Sequence, residues 1–129
     1  MAINTVIHLD DSRDLRELVR RAIIKIDAQV RYQGTDSAAE AITWMSAAEA
    51  SQLVVLLDLD MPELDGFEVL RLLGTKDLLP RCKVVMFSSS TSETDRERCL
   101  ALGACRYCVK PLAWEALVAE LRTVLTVHA

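Results

Sequence analysis

Apolar residues along the chain fall into two alternating patterns. Short apolar runs occur at Thr5-Val6-Ile7-His8-Leu9, at Leu53 to Leu57 and at Lys83 to Phe87. Runs of that length with no polar face fit strands covered on both sides, as in a parallel sheet. Residues 29–33, QVRYQ, predict a weaker strand nearer a sheet edge, and Arg106 to Val109 a short fifth strand. Between the runs, apolar residues recur at helical spacing. Leu15, Leu18, Val19, Ala22, Ile23 and Ile26 make one helical face behind a capping Ser12. Ser37-Ala38-Ala39-Glu40 is a capping box that opens a helix with Ala38, Ala41, Ile42 and Met45 on one side. Asp65 and Glu68 form a similar start for a helix through Val69, Leu70 and Leu73, ending near Gly74. A fourth helix runs from about Ser92 to Leu102 and stops at Gly103. The last places Trp114, Leu117, Val118, Leu121 and Leu125 together.

Strands alternating with helices five times predict an α/β fold, a parallel sheet with helices on both faces. Right-handed crossovers leave few topologies, and the common one is a doubly wound, flavodoxin-like (βα)5 sheet of order 2-1-3-4-5. No repeat or linker divides the chain, so residues 1–129 are expected to form a single domain. In that order the tips of strands 1, 3, 4 and 5 share one edge, at the crevice where such sheets bind ligands. The residues there are Asp10 and Asp11, Asp58, Ser88 and Lys110.

Composition narrows the class. The chain is 51% hydrophobic with a net charge of −4, which argues against disorder and against direct nucleic-acid binding. No apolar run approaches the roughly 18 residues of a membrane span. The amino-terminal sequence lacks a basic start and a cleavage site, and the four cysteines then read as reduced thiols. A cytoplasmic protein with no membrane partner is expected.

Three carboxylates gathered at one edge repel unless a cation or protons neutralise them. An all-oxygen donor set suits Mg²⁺, which takes one or two carboxylates plus phosphate oxygens. A carboxylate can attack phosphorus, and the transfer then needs mainly positioning and charge neutralisation, which a metal and a lysine supply. A hydroxyl at Ser88 is suited to donate to a bound phosphoryl oxygen.

The same segments resemble the receiver domain of two-component response regulators across essentially the whole chain. The resemblance rests on Asp10-Asp11, on LLDLDMPELDG around Asp58, on VVMFSSS ending in Ser88 and beyond, and on GACRYCVKP around Lys110. The separations also match: 47 residues from Asp11 to Asp58, 30 to Ser88 and 22 to Lys110. It implies that Asp58 is the phosphate acceptor, that Asp11 binds Mg²⁺ directly and Asp10 partly through water, and that the Asp60 backbone carbonyl completes the metal site. It further implies that Ser88 is a switch hydroxyl, that Lys110 contacts the phosphoryl group, and that Tyr107 turns inward on activation. Lys110-Pro111 resembles the family's cis peptide. The implied behaviour is a switch rather than an enzyme proper. A histidine kinase or phosphotransfer protein would donate the phosphoryl group. The face of helix 4, strand 5 and helix 5 would then bind a downstream protein, the chain being a monomer or a phosphorylation-dependent homodimer. As given, the chain resembles a stand-alone receiver or a fragment of a longer regulator.

Some residues depart from the pattern. Ser88 stands where threonine is more usual, and Asp60 adds an acid beside the site. Cys105 and Cys108 form a CxxC, but in a strand rather than at a helix start, where such pairs gain reactivity, so small buried thiols are expected. His8 is expected to be packed within the first strand. A haloacid-dehalogenase-type phosphatase also uses Asp-x-Asp, then Ser or Thr, then Lys. Its metal-binding acids follow the lysine, however, whereas here only Glu115 and Glu120 do, both within a helix. A receiver-like module that is never phosphorylated is the other alternative.

Overall fold

A computed structural model describes residues 3–48, 52–62 and 64–126. The elements, in order, are β1 (Thr5–Leu9), α1 (Arg13–Ile26), β2 (Arg31–Thr35), α2 (Ala38–Ala47), β3 (Leu53–Leu57), α3 (Gly66–Thr75), β4 (Lys83–Ser88), α4 (Glu93–Ala101), β5 (Arg106–Val109) and α5 (Trp114–Leu125). A 3₁₀ turn, Leu79–Arg81, precedes β4. The five strands are parallel in the order β2-β1-β3-β4-β5, the doubly wound topology that the alternation predicts. The single-domain extent of 1–129 reaches termini that lie outside the described residues.

Alternate side chains of each central strand feed two apolar layers. Ile7, Leu9, Val55, Leu57, Val84 and Met86 pack with residues of α2 and α3. Val6, Val54, Leu56, Val85 and Phe87 pack with α1 and α5. Val54 through Leu57 are wholly buried, as expected of a central strand with no polar face.

Three details differ from the sequence reading. β2 lies two residues later than residues 29–33, because Val30 closes a turn onto Asp27 and the ladder with β1 begins at Arg31 opposite Thr5. Leu18 is 43% exposed: it sits at the margin of a stripe centred on Val19, Ala22 and Ile23. In α5, Val124 is buried and Leu125 only partly so, while Trp114, at the first turn, is largely outside the core.

Helix starts follow the caps. Ser12, Ser37, Asp65 and Ser92 each accept the backbone N–H of the residue three positions on. The box at Ser37 is half formed, since the Ser37 N–H donates to Thr35 Oγ1 at 3.0 Å rather than to Glu40. α4 stops ahead of Gly103, which has a φ of +114°.

Candidate functional site

Register brings the candidate residues to one edge. Leu9 pairs with Leu57, so the acids that follow, Asp10 and Asp58, leave the sheet side by side. The Asp58 N–H donates to the Leu9 carbonyl at 2.9 Å. Ser88 pairs with Val109, and the Lys110 N–H donates to the Ser88 carbonyl at 2.7 Å, which places the lysine next in line. Gly66 permits a close return of the chain behind Asp58. A Cβ there would lie 2.7 Å from the Asp58 carbonyl oxygen and 2.8 Å from Leu59 Cα.

The lysine ties the acids together. Its Nζ lies 3.0 Å from Asp10 Oδ2 and 3.1 Å from Asp58 Oδ1. Asp10 Oδ1 accepts the Ser12 N–H at 2.8 Å, and Asp58 Oδ1 also accepts the Asp60 N–H at 3.3 Å. Asp10, Asp58 and Ser88 are buried, whereas Asp11 and the Asp60 side chain are exposed. The resemblance to a cis Lys110-Pro111 bond is not met: among the described residues no peptide bond is cis. The lysine nonetheless reaches both acids.

The electrostatics follow from this crowding. Burial, and then the neighbouring Asp10, push the Asp58 carboxyl up to about 6. Burial also works against an ionised Asp10. The His8 ring, the Ser12 amide and Lys110 outweigh it, and Asp10 lies below the usual carboxylate range. Burial opposes the Lys110 charge too, but Asp10 and Asp58 more than offset it and hold the ammonium protonated. The lysine therefore faces two buried acids. One carboxylate oxygen from each of Asp10, Asp11 and Asp58 lies within 4.8 Å of the others, the one such cluster among the described residues. These hard oxygens form a set that can hold a divalent cation.

Ser88 Oγ accepts the Ser90 N–H at 3.0 Å, and the Tyr107 hydroxyl donates to the Ser90 carbonyl at 2.9 Å. Tyr107 is half-buried against the α2/α3 layer. Of the CxxC pair expected to be buried, Cys108 is buried but Cys105, just ahead of β5, is exposed. Burial pushes the Cys108 thiol up to about 12, the reverse of a reactive thiolate.

The reading of His8 as packed is right about its burial but incomplete. Its Nδ1 lies 2.7 Å from the Tyr32 hydroxyl and its Nε2 3.6 Å from Asp10 Oδ2. Strand alternation carried this signal, because residues 8 and 10 project to the same side. The partner on β2 was invisible without the register that sets Tyr32 opposite Val6.

A parallel (βα)5 sheet with acids, a hydroxyl and a lysine at its carboxyl edge defines the receiver class of signalling domain. Residues 6–122 match the response regulator receiver domain family, and the chain belongs to it. It is 35% identical over 123 residues to the response regulator MprA of Mycobacterium tuberculosis, covering 93% of this chain and 50% of that protein. It is 29% identical over 121 residues to the transcriptional regulatory protein GltR of Pseudomonas aeruginosa, covering 94% and 48%. The chain thus spans about half the length of these curated relatives. Among solved structures it is similar to the chemotaxis protein CheY4 of Vibrio cholerae, with a TM-score of 0.78, 27% identity and coverage of 96% of this chain and 100% of that one. The phosphorylated cyanobacterial phytochrome response regulator RcpA shares the fold, with a TM-score of 0.81, 22% identity and coverage of 95% and 91%. Phosphoryl acceptance is the general role of this family, whose members are switches that interact with histidine kinases and downstream effectors. Among the described residues no helix is long and apolar enough to cross a membrane.

Proposed function

We propose that Asp58 accepts a phosphoryl group from a histidine kinase or phosphotransfer protein in a Mg²⁺-dependent reaction. The observation that carries this reading is the Lys110 ammonium, 3.0 Å from Asp10 and 3.1 Å from Asp58, at the rim of a three-carboxylate cluster. Asp10, Asp11, Asp58 and the Asp60 backbone carbonyl would hold the ion, which neutralises phosphoryl oxygens when bound. An Asp58 carboxylate oxygen attacks phosphorus. The phosphorus–nitrogen bond of the phosphohistidine breaks, and the imidazole leaves with its electron pair and takes a proton from solvent. Lys110 then turns to the new phosphoryl oxygens, and Ser88 donates its hydroxyl proton to one of them.

The added charge, roughly −1.5 to −2, acts on the loop after β4. Ser88 already holds the Ser90 N–H and Tyr107 holds the Ser90 carbonyl, so a move of Ser88 reaches both β5 and α4. The face of α4, β5 and α5, with Val109 45% and Trp114 39% exposed, is the surface that binds a downstream protein. Residues 1–129 act as one cytoplasmic receiver unit with no direct nucleic-acid contact, as monomer or phosphorylation-dependent homodimer.

Incubation with a small-molecule phosphodonor and Mg²⁺, followed by intact-mass spectrometry, tests the reading. One acid-stable, base-labile phosphate is expected on the parent and none on Asp58→Asn. Equal labelling of both, or catalytic turnover of the donor without a stable adduct, overturns it. Asp60→Asn is expected to alter the lifetime of the phosphate by removing a charge that repels an approaching oxyanion.

A further inference from the structure

The geometry assigns His8 as a positioning residue for the inner carboxylate Asp10, with the proton on Nε2 and with Tyr32 holding the ring so that this N–H faces Asp10 Oδ2. The assignment rests on the proposed role of the acids but has a readout of its own.

The imidazole is wholly buried between β2 and β4, edge-on to Tyr32 and Phe87 with centroids 5.9 Å and 6.2 Å away. A neutral ring carries one proton, and its neighbours decide which nitrogen holds it. The Tyr32 hydroxyl lies 2.7 Å from Nδ1 and 3.0 Å from the Arg16 carbonyl, with one proton to give. If it gives that proton to Arg16, Nδ1 carries the ring hydrogen and Nε2 is left as a bare lone pair. That lone pair would be buried without a donor and would face a carboxylate oxygen at 3.6 Å. If Tyr32 gives its proton to Nδ1 instead, Nε2–H points at Asp10. The Tyr32–Arg16 hydrogen bond is then given up, while the Arg16 carbonyl, inside α1 (Arg13–Ile26), keeps the N–H four residues on. Only the second arrangement turns a donor, and not a lone pair, toward the buried Asp10 Oδ2.

The site around Tyr32 is shaped for this contact. A Cβ at Gly34 would lie 2.7 Å from the Tyr32 hydroxyl, so glycine leaves the room it needs.

At 3.6 Å the His8–Asp10 contact is longer than a full hydrogen bond, because Lys110 holds the same oxygen at 3.0 Å. Phosphorylation of Asp58 draws that lysine toward the phosphoryl group. Oδ2 of Asp10 is fully buried and then needs another donor. His8 Nε2–H takes over, keeping the carboxylate oriented in the manner of the outer groups that fix metal ligands.

Two measurements test the assignment. Long-range ¹H–¹⁵N correlation spectra of the metal-free protein read the tautomer, with the His8 signals assigned by their loss in His8→Gln. The Nε2–H form is expected, and an Nδ1–H form overturns the proposal. Calorimetric Mg²⁺ titration then compares the parent with His8→Leu and His8→Gln. His8→Leu is expected to bind about tenfold more weakly, and His8→Gln, whose amide keeps an N–H, to recover part of the loss. Binding by His8→Leu within twofold of the parent overturns the proposal. If His8→Leu does not fold by circular dichroism, His8→Gln and the tautomer decide it. A parent that binds no Mg²⁺ defeats the reading of the acids instead, and the tautomer alone then judges His8.

Discussion

α3 and α4 lie on the same side of the sheet but are held by different forces. α3 buries Gly66, Phe67, Val69, Leu70 and Leu73, whereas α4 buries Cys99 alone. Five of the nine residues of α4 are charged. Its amino-terminal tether is polar and begins at the site. Ser88 Oγ accepts the Ser90 N–H, Ser90 Oγ accepts the Ser92 N–H at 3.2 Å and donates to Asp95 at 2.7 Å, and Ser92 caps the helix at Asp95. Each such bond is worth about 1 kcal/mol net, against roughly 1.5–3 kcal/mol for each large side chain that α3 buries. On the proposed switch, a disturbance at Ser88 would bear on α4 more than on α3.

The largest expected effect tests the α3 half of the contrast. Leu70 is wholly buried, so Leu70→Ala is expected to cost about 2–5 kcal/mol in urea denaturation. Leu100→Ala on α4, where the side chain is half-buried, is expected to cost less than about 1 kcal/mol. Equal losses would erase the distinction between the helices.

The second effect concerns the strain at the site that α4 adjoins, and its sign is opposite. The Asp58 carboxyl titrates near 6 in the fold against an ordinary value of 3.8, so the folded protein holds that proton more tightly than the unfolded chain. This contribution is fully present below about 3.8 and is lost as pH rises through about 6. The span corresponds to at most roughly 3 kcal/mol. With a chelator present, Asp58→Asn is expected to be more stable than the parent by about 1–3 kcal/mol at neutral pH. The gap is expected to close as pH falls toward 4. A variant no more stable than the parent across that range contradicts the proposed crowding.

Much of this arrangement was legible in the chain. The unbroken run Leu53–Leu57 predicted a doubly covered strand, and alternation predicted the sheet order that lines up Asp10, Asp58, Ser88 and Lys110. Local pattern was blind to cross-strand geometry. It set β2 two residues early, since the ladder to Thr5 and not the apolar content of QVRYQ decides where pairing begins. It treated His8 as inert, because its two polar neighbours come from β2 and from beyond the strand tip. It grouped Leu18 with the buried stripe of α1, because period alone does not say how wide a stripe the sheet will cover.

A smaller effect tests the polar tether. Ser92→Ala removes the cap of α4 and is expected to cost about 1 kcal/mol. Native-state hydrogen exchange is expected to show faster opening of α4 amides with those of α3 unchanged. Protection lost equally in both helices would mean that they move as one unit.

The smallest effect tests the side-chain bridge between them. The Arg98 guanidinium carbon of α4 sits 3.8 Å from the centre of the Phe67 ring of α3. At an exposed position such a contact is worth about 0.5–1 kcal/mol. Arg98→Ala alone would mix that loss with changes in helix propensity and charge. A double-mutant cycle with Phe67→Leu isolates the pair, and a coupling of about 0.5–1 kcal/mol is expected. Arg98→Lys is expected to keep part of it, because the charge remains while the planar stacking is lost. Coupling within that range would give α4 a weak lateral link to α3 beside the polar one at its amino terminus. Zero coupling would mean that this contact adds nothing to the hold of Cys99 and of the polar tether.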